Sequence, residues 1–273
     1  IRQFGVDTSE ILRQGQRLGT YYLESGAAMR ASKVVYDRAA SSVAEIQPGD
    51  VDWAKVFDGA DWFHFTGITP AISKNAGEVC IEAAKAAKEL GITVSADMNY
   101  RKNLWTPEEA QATMIPMMKY VDVSIGNEED AEKCLGVAAE GVDVTVGEID
   151  PEAYRPVVQE LVDKFGFKKV AITLRESFSA DDNGWSAIYY DGDEILVGNK
   201  YPVRIVDRVG GGDSFCAAMI YGLNQSDWNS RQVLDFAVAS SAMSHTFHGD
   251  FNLVSVKEVM AVAGGDTSGR VQR

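Results

Sequence analysis

The sequence predicts an α/β fold in which a mostly parallel sheet is flanked by helices and accompanied by a small, separate β element. From residue 60 onward, short apolar runs of β-forming residues alternate with segments whose apolar positions recur every three or four residues, as in βαβ units. Residues 1–60 instead contain two β-forming stretches without a helical pattern between them. With 273 residues, 45% of them hydrophobic, the chain is long and apolar enough for a substantial core.

The charge balance and the cysteines exclude several classes of protein. Lys and Arg number 26 against 40 Asp and Glu, and no basic run is dense enough to neutralise a nucleic acid backbone. The apolar runs are short and the first residues do not form a signal peptide, so we expect a cytoplasmic protein that binds neither membrane nor nucleic acid. The three cysteines are far apart and are expected to be reduced core thiols. Because the chain begins at Ile1, we expect the natural N-terminus to be absent.

The first predicted element is a β-hairpin formed by residues 19–24 and 32–38, with Ser25-Gly26-Ala27 between them. A hairpin outside the βα series is expected to cover a ligand or to pair with another subunit, and the alternative is an ordinary edge hairpin. We therefore expect residues 1–60 to form part of a β lid with its connecting segments, and residues 61–273 to form the α/β core.

Strands and helices then alternate along the core. Thr106 with Glu109, and Ser255 with Glu258, have the spacing of a capping box at a helix start. The turn signal Asp191-Gly192-Asp193 predicts a second antiparallel pair from residues 186–190 and 194–197. The remaining predicted strands are residues 61–66, 92–96, 121–125 and 169–174, and the predicted helices are residues 76–90, 107–120, 128–135 and 151–165.

The most informative stretch is residues 206–215, which predicts a strand, a glycine turn and a helix that runs on through residues 216–223. Consecutive glycines allow a close approach of the backbone to a ligand, and amides at a helix N-terminus attract an anion. Asp213 in the same turn would repel a bound phosphate, so it indicates a general base for phosphoryl transfer. The alternative is a tight turn with an N-capping aspartate. No P-loop, dinucleotide fingerprint, zinc-protease or serine-hydrolase motif is present.

The run Asp207-Arg208-Val209-Gly210-Gly211-Gly212-Asp213 resembles D-T-x-G-A-G-D, the C-terminal signature of the ribokinase-like, or PfkB, carbohydrate kinases. Arg208 stands in place of a threonine and Gly211 in place of an alanine. The resemblance implies a three-layer α/β/α fold with a small β lid, ATP and Mg²⁺ as cofactors, and a homodimer formed through the lid. It also implies that Asp213 is the catalytic base beside the substrate, and that the amides of Gly210, Gly211 and Gly212 form the anion hole at ATP.

A second segment indicates which class of sugar is the substrate. Residues 97–105, D-M-N-Y-R-K-N-L-W, are similar to D-x-N-x-R-x-x-L-W of 2-keto-3-deoxygluconate kinases. The resemblance places Arg101 at the substrate, the phosphate or both, and Asn99 at ATP; an arginine there suits a carboxylate. Further substrate residues implied by the resemblance are Tyr21, Tyr36, Arg38 and Asp250. The alternatives are cross-strand packing for the tyrosines and a surface ion pair for Arg38.

The nucleotide side resembles the family less closely. Residues 172–177 stand where the family has a strand followed by a T-L-G-x-x-G-like turn, with Arg175 in place of the glycine and a long acidic loop over residues 178–184. The resemblance implies ATP contacts by Thr173, Arg175 and Ser177. Asn127 and Asp130 resemble the family's N-x-x-E segment, which organises Mg²⁺ through water; an ordinary helix N-cap explains the same residues.

The expected function is therefore ATP-dependent phosphorylation of 2-keto-3-deoxygluconate to its 6-phosphate. The alternatives are another PfkB sugar kinase of the fructokinase or ribokinase type, and a ribokinase-like sensor that binds nucleotide or sugar acid without turnover. A nicotinamide-dependent oxidoreductase lacks its glycine fingerprint here. The resemblance also implies that the family's first strand and glycine-rich sugar site precede Ile1.

Overall fold

The computed structural model describes residues 1–127, 129–139 and 150–270. It contains short 3₁₀ segments at Arg2–Phe4, Ile115–Tyr120 and Pro151–Tyr154. The strands are β1 (Thr20–Glu24), β2 (Lys33–Asp37), β3 (Trp62–Thr66), β4 (Thr93–Asp97), β5 (Val123–Asn127), β6 (Lys169–Ser177), β7 (Asp182–Tyr190), β8 (Ile195–Val197) and β9 (Tyr201–Arg204). The helices are α1 (Trp53–Val56), α2 (Ile68–Ile72), α3 (Lys74–Glu89), α4 (Pro107–Met114), α5 (Asp130–Leu135), α6 (Arg155–Phe165), α7 (Gly211–Leu223), α8 (Ser230–Ser244) and α9 (Val256–Ala263).

The strands form one mixed, mostly parallel sheet and one separate antiparallel pair, which confirms the predicted α/β class. The large sheet has the order β3-β4-β5-β6-β7-β8, and β9 also pairs with β7. Strands β3 and β4 are parallel, in register from Trp62 opposite Thr93 to Thr66 opposite Asp97. Strand β7 is antiparallel to β6, β8 and β9, so the predicted second antiparallel element is confirmed. The predicted hairpin is the β1-β2 pair.

By contact density the chain divides into two compact units, and the predicted boundary at residue 60 stays a prediction. Unit 1 comprises Ile1–Leu23, Val34–Ser124 and Lys133–Gly136, and unit 2 comprises Glu24–Lys33, Ile125–Glu132 and Val137–Arg273.

Small side chains bring α3 close to the strands of unit 1. Ser73 caps α3 by accepting a hydrogen bond from the amide of Ala76. The buried face of the helix is mostly alanine, and Ala76, Ala84 and Ala87 have no exposed surface. At the end of α3, Lys88 Nζ donates to both carboxylate oxygens of Asp122 at 2.8 and 2.9 Å. The buried Asp122 also accepts the amide of Val94, so this ion pair ties the helix to β4.

The core of unit 2 lies between β7 and the antiparallel helices that follow the glycine turn. Ala187, Ile188 and Tyr189 of β7 are completely buried, and so are Leu234 and Ala237 of α8. Helix α8 begins with a capping box in which Asn229 and Gln232 each accept the other's amide. Because α7 and α8 pack along their lengths, the start of α7 is held against the end of α8.

Several predicted boundaries are wrong, and proline explains one of them. The helix expected over 107–120 is α-helical only to Met114, because Pro116 has no amide to donate and its ring clashes with the carbonyl four residues earlier. The helix expected over 151–165 likewise opens with a 3₁₀ turn before α6. The helix expected over 128–135 begins at Asp130, and residue 128 lies outside the described residues. Both predicted capping boxes, at Thr106 and at Ser255, are present.

The strands around the predicted nucleotide site also differ from expectation. Strand β6 continues to Ser177, since Arg175 pairs with Trp185 and Ser177 with Asn183, so no turn begins at Arg175. The loop expected over 178–184 is short, because β7 already begins at Asp182. The strand expected at Val206 ends earlier, at Arg204. The helix start expected within residues 206–215 is confirmed at Gly211, and the helix ends at Leu223.

All three cysteines are buried thiols that form no disulfide, as expected. Within the described ranges, no helix has both the length and the apolar character of a membrane span.

Candidate functional site

The three glycines of the turn in unit 2 occupy three different environments. Gly210 is the N-cap of α7 and has a φ of 78°, a left-handed conformation that disfavours side chains. A Cβ on Gly210 would also lie 2.5 Å from the carbonyl oxygen of Asp250, and one on Gly211 would lie 2.5 Å from Cε1 of His245. A Cβ on Gly212 would meet no atom within 4 Å. The chain therefore gives no steric reason for glycine at 212, and the open space there suits a ligand.

The start of α7 has the features of an anion site. Its N-cap is a glycine, which has no side chain to accept the first amides of the helix. The helix dipole adds a partial positive charge at this end, and thirteen residues make a regular helix behind it. Asp213 stands in the first turn with an exposed side chain. It is the third residue of the helix and does not cap it, so the alternative of an N-capping aspartate is wrong.

Asp207 holds the loop before the glycines to a distant segment. One of its carboxylate oxygens accepts the amide of Val209 at 3.1 Å, and the other accepts the amide of Gly249 at 3.2 Å. This brings Asp250 to the glycine turn, where its Oδ1 would lie 3.2 Å from a Cβ on Gly210. Desolvation, followed by the negative charges of Asp213 and Asp207, raises the pKa of Asp250. The sequence-predicted Asp250, Asp213 and glycines thus share one site.

Residues at the C-terminal end of α8 form hydrogen bonds with the backbone around the glycine turn. The Ser241 hydroxyl donates to the carbonyl oxygen of Gly211 at 2.7 Å, and the carbonyl oxygen of His245 accepts the amide of Val206 at 2.8 Å. Both Ser241 and His245 are buried. Helix α8 therefore fixes the backbone on both sides of Asp207.

In unit 1, the aromatic residues predicted for the substrate lie together on the β1-β2 pair. The rings of Tyr21 and Tyr36 are 6.4 Å apart, and the guanidinium of Arg38 lies 4.5 Å from the centre of the Tyr36 ring. The neighbouring Asp37 forms its ion pair with Arg17, at 2.7 Å. The recorded contact of Arg38 is therefore a cation–π contact rather than the surface ion pair considered from the sequence.

The carboxyl ends of β3 and β4 in unit 1 lead to Asn99, which is predicted to contact ATP, and to Arg101, which is predicted to contact the substrate, the phosphate or both. Asn99 has a φ of 41°, which is strained for a residue with a side chain and is frequent at functional sites. Its amide nitrogen donates to Asp97 at 3.1 Å and to Thr66 at 3.3 Å, which fixes the side chain just beyond β4. Arg101 follows with an exposed side chain. The chain passes so close to Met98 at residue 67 that only glycine fits, since a Cβ on Gly67 would lie 2.1 Å from the carbonyl oxygen of Met98.

A profile of the pfkB family carbohydrate kinases matches residues 1–255, which span both the β1-β2 pair and the glycine turn. The chain belongs to the pfkB family of carbohydrate kinases.

Named relatives and solved structures agree with this assignment. The 2-dehydro-3-deoxygalactonokinase of Haloferax volcanii is 30% identical over 269 residues, which cover 98% of this chain and 77% of that protein. The 2-dehydro-3-deoxygluconokinase of Thermoproteus tenax is 30% identical over 260 residues, covering 92% and 69%. The crystal structure of 2-dehydro-3-deoxygluconokinase from Thermotoga maritima matches with a TM-score of 0.91 and 49% identity, covering 97% of this chain and 79% of that one.

The family makes this protein a sugar kinase, a phosphotransferase that acts on an alcohol group, and confirms the ribokinase-like fold. Membership also implies that ATP is its phosphoryl donor. The individual site residues remain predictions, supported by the geometry above.

Two arginines on the predicted nucleotide side of this kinase, Arg175 and Arg208 in unit 2, are near enough for the charge of one to act on the other. Arg208 donates to the carbonyl oxygen of Ala180 at 3.0 Å. Burial, and then the positive charge of Arg175, lowers the pKa of Arg208, while Asp181 opposes the shift.

Thr173 is buried, and its hydroxyl donates to the carbonyl oxygen of Gly126 at 3.3 Å. Ser177 accepts a hydrogen bond from Asn183. The two guanidiniums are suited to an anionic ligand, whereas Thr173 and Ser177 have structural contacts.

The predicted magnesium residues form a helix cap. Asn127 Oδ1 accepts the amides of Glu129 at 2.8 Å and Asp130 at 3.2 Å, and Asp130 in turn accepts the amide of Asn127 at 2.8 Å. The N-cap alternative is therefore present in the structure. Among residues 1–127, 129–139 and 150–270, no group of three or more His, Cys, Asp or Glu side chains could hold a metal ion. The water-mediated role of Asn127 and Asp130 in binding Mg²⁺ stays a prediction.

Sequence reasoning missed Asp207, Ser241 and His245 as supports of the glycine turn. Asp207 lies inside the recognised motif, so its position was the available signal. Ser241 and His245 lie about thirty residues away on α8, and no local pattern connects them to Gly211.

Proposed function

We propose that this kinase transfers the γ-phosphoryl group of ATP to the primary hydroxyl of 2-keto-3-deoxygluconate, giving the 6-phosphate. This substrate is the 2-dehydro-3-deoxygluconate of the relatives' names. The observation that carries the proposal is the glycine-capped start of α7, with open space at Gly212 and the Asp213 carboxylate one residue further on.

The chemistry follows from these groups. The Asp213 carboxylate takes the proton of the primary hydroxyl, whose oxygen forms a bond to the γ-phosphorus. The bond from that phosphorus to the bridging oxygen breaks, and its electron pair leaves with ADP. The amides at the start of α7 stabilise the negative charge on the transferring group. Mg²⁺, when bound with ATP, neutralises phosphate charge, and Asn127 and Asp130 would reach it only through water.

The acid group of the substrate gives a role to two arginines. An aldonic acid carries a carboxylate that a neutral sugar lacks, and a guanidinium binds carboxylate with two parallel hydrogen bonds. We propose that Arg101 and Arg38 bind it, with Tyr21 and Tyr36 against the sugar carbons and Asp250 accepting a hydroxyl. The names of the relatives, which act on 2-dehydro-3-deoxy sugar acids, support this substrate class.

The test compares sugars and variants in one ATP-consumption assay. The substrates are 2-keto-3-deoxygluconate, its galactonate epimer, fructose and ribose. Asp213→Asn should lower kcat with the acid sugar by at least about a hundredfold, because the general base is lost. The matched control, Asp227→Asn in the exposed loop after α7, should leave kcat unchanged.

Arg101→Ala tests the carboxylate assignment, with its exposed neighbour Lys102→Ala as control. The KM for the acid sugar should rise at least about tenfold in the first variant alone, since a charge-assisted bidentate contact is lost. Turnover restricted to a neutral sugar would retain the kinase and reject the roles of Arg101 and Arg38. Turnover with none of the four sugars would favour the sensor alternative.

A further inference from the structure

His245 is held by contacts with three different residues around the glycine turn. Its ring lies beneath residue 211, its carbonyl oxygen accepts the amide of Val206 at 2.8 Å, and its ring Nδ1 lies 2.7 Å from the carbonyl oxygen of Ser241. Because a carbonyl oxygen only accepts, Nδ1 carries the proton in this contact. The histidine is 4% exposed, so its ring is fixed within unit 2 rather than free in solvent.

Two contacts fix the ring of His245 beside Gly211. On one side the Trp185 ring packs against it with centroids 4.7 Å apart, and the hydrogen bond to Ser241 sets its rotation. A Cβ on Gly211 would lie 2.5 Å from Cε1 and 2.6 Å from Nε2, closer than side-chain atoms approach one another. The histidine ring therefore occupies the volume that any side chain at 211 would need.

The backbone gives no competing reason for this glycine. Gly211 is absent from the residues with positive φ, and it is the first residue of α7. Alanine is intrinsically favoured over glycine within a helix. The requirement for glycine at 211 thus comes from His245, whereas that at Gly210 comes from the backbone conformation together with the nearby carbonyl oxygen of Asp250.

We propose that His245 is a positioning residue of the phosphoryl-transfer site: its ring sets the place of the Gly211 amide, and residues 211 and 245 form a matched pair in which neither tolerates a change alone. The inference rests on the proposed function, because it assigns the Gly211 amide to the anion hole. His245 acts through Gly211 and does not take part in proton transfer, which belongs to Asp213.

The experiment is a double-variant cycle of Gly211→Ala, His245→Ala and the two combined, with kcat, both KM values, the thermal midpoint and calorimetric ATP affinity measured for each. Gly211→Ala should lower kcat by at least about tenfold while the KM of the sugar changes less than about twofold, because amide positions matter most in the transition state. His245→Ala should have a smaller effect of the same kind. The combined variant should recover most of the kcat lost in Gly211→Ala.

Two further variants separate positioning from simple stability. Gly212→Ala, which meets no histidine atom, must not be rescued by His245→Ala. His245→Gln retains a donor toward Ser241. It should have a higher kcat than His245→Ala although the thermal midpoints of the two variants are equal. Wild-type kcat in Gly211→Ala, or a combined variant no better than Gly211→Ala, would overturn the proposal.

The outcome is informative even if other expectations fail. Absence of wild-type turnover with every sugar would reject the proposed function, and the cycle would then be scored on ATP affinity alone. If Gly211→Ala does not fold, a combined variant that folds and binds ATP with wild-type affinity supports the matched pair. A combined variant that folds without binding ATP contradicts it.

Discussion

The carboxylate of Asp207 accepts the backbone amide of Gly249 at 3.2 Å, which joins two segments separated by 42 residues of sequence. Its other oxygen accepts the amide of Val209, so a single side chain sets the glycine turn relative to the segment that carries Asp250. Both hydrogen bonds are formed within the protein itself.

Asp207→Asn should weaken catalysis through this connection. The new amide group would face a backbone N–H donor, leaving one of the two amides without an acceptor and costing about 1–3 kcal/mol. We expect kcat to fall about tenfold and the KM of the sugar to rise, with a small drop in the free energy of unfolding measured in urea. Asp58→Asn, in an exposed turn of unit 1, is the control. Unchanged kinetics in Asp207→Asn would show that Val209 and Gly249 hold their places without it.

Gly210→Ala and Gly212→Ala should differ sharply although the residues are close in sequence. Alanine at 210 must adopt a φ of 78° and meet the Asp250 carbonyl oxygen, so we expect the free energy of unfolding to fall by about 1–3 kcal/mol. Alanine at 212 meets nothing and should leave stability equal or slightly higher. Its kcat should nevertheless fall at least about tenfold, because the methyl group occupies the place proposed for phosphate. Full activity of Gly212→Ala would remove the phosphate from that position.

Arg208→Thr tests the pair of guanidiniums. Two neighbouring positive charges repel each other and attract an anion, so losing one should raise the KM for ATP about tenfold and reduce its dependence on salt. Arg208→Lys retains the charge without the planar guanidinium, so its KM for ATP should lie between those of wild type and Arg208→Thr. The control is Arg204→Thr, an exposed arginine that pairs with Asp182 at 3.2 Å. An unaltered KM for ATP in Arg208→Thr would place the nucleotide elsewhere.

His64 should make the protein sensitive to acid. Burial lowers its pKa from 6.5 to about 4, and its Nδ1 lies 2.7 Å from Ser95 Oγ. As pH falls below 6.5 the unfolded chain takes up the proton first, so stability present above pH 6.5 is lost down to about pH 4. The full loss is about 3 kcal/mol.

Urea unfolding at several pH values measures this effect. His64→Gln should flatten the fall in stability over that range, and His248→Gln, at an exposed position, should not. Part of the pH dependence of stability should persist in His64→Gln. Burial, the largest cause, lowers the pKa of His245 as well. An identical slope in wild type and His64→Gln would mean that the folded protein admits the proton at His64.

The sequence was sufficient for the features that local chemistry decides. Alternating periodicity predicted β3, β4 and the helices between strands, and the spacing of Thr106 and Glu109 predicted a real capping box. The motif located Asp213 and the glycines at a helix start. Each of these depends on residues within about ten positions of one another.

Contacts between distant segments decided the rest. The Ser241 hydroxyl on α8 donates to the carbonyl oxygen of Gly211, a support that lies thirty residues away in the sequence. Strand β6 runs through Arg175 because β7 pairs with it. One local feature also needed the structure: the residues around Asn127 suit either a helix cap or a metal site, and the hydrogen bonds from the amides of Glu129 and Asp130 show the cap.

The contact between Trp185 and His245 provides this kinase with an intrinsic optical probe. The indole lies against the ring that touches Gly211, whereas Trp53, Trp62 and Trp105 belong to unit 1 and Trp228 follows the far end of α7. Indole emission responds to small changes in a neighbouring imidazole, so a nucleotide that shifts the glycine turn changes the fluorescence. Binding can then be followed without a label, and Trp185→Phe identifies the share of the signal that comes from this ring.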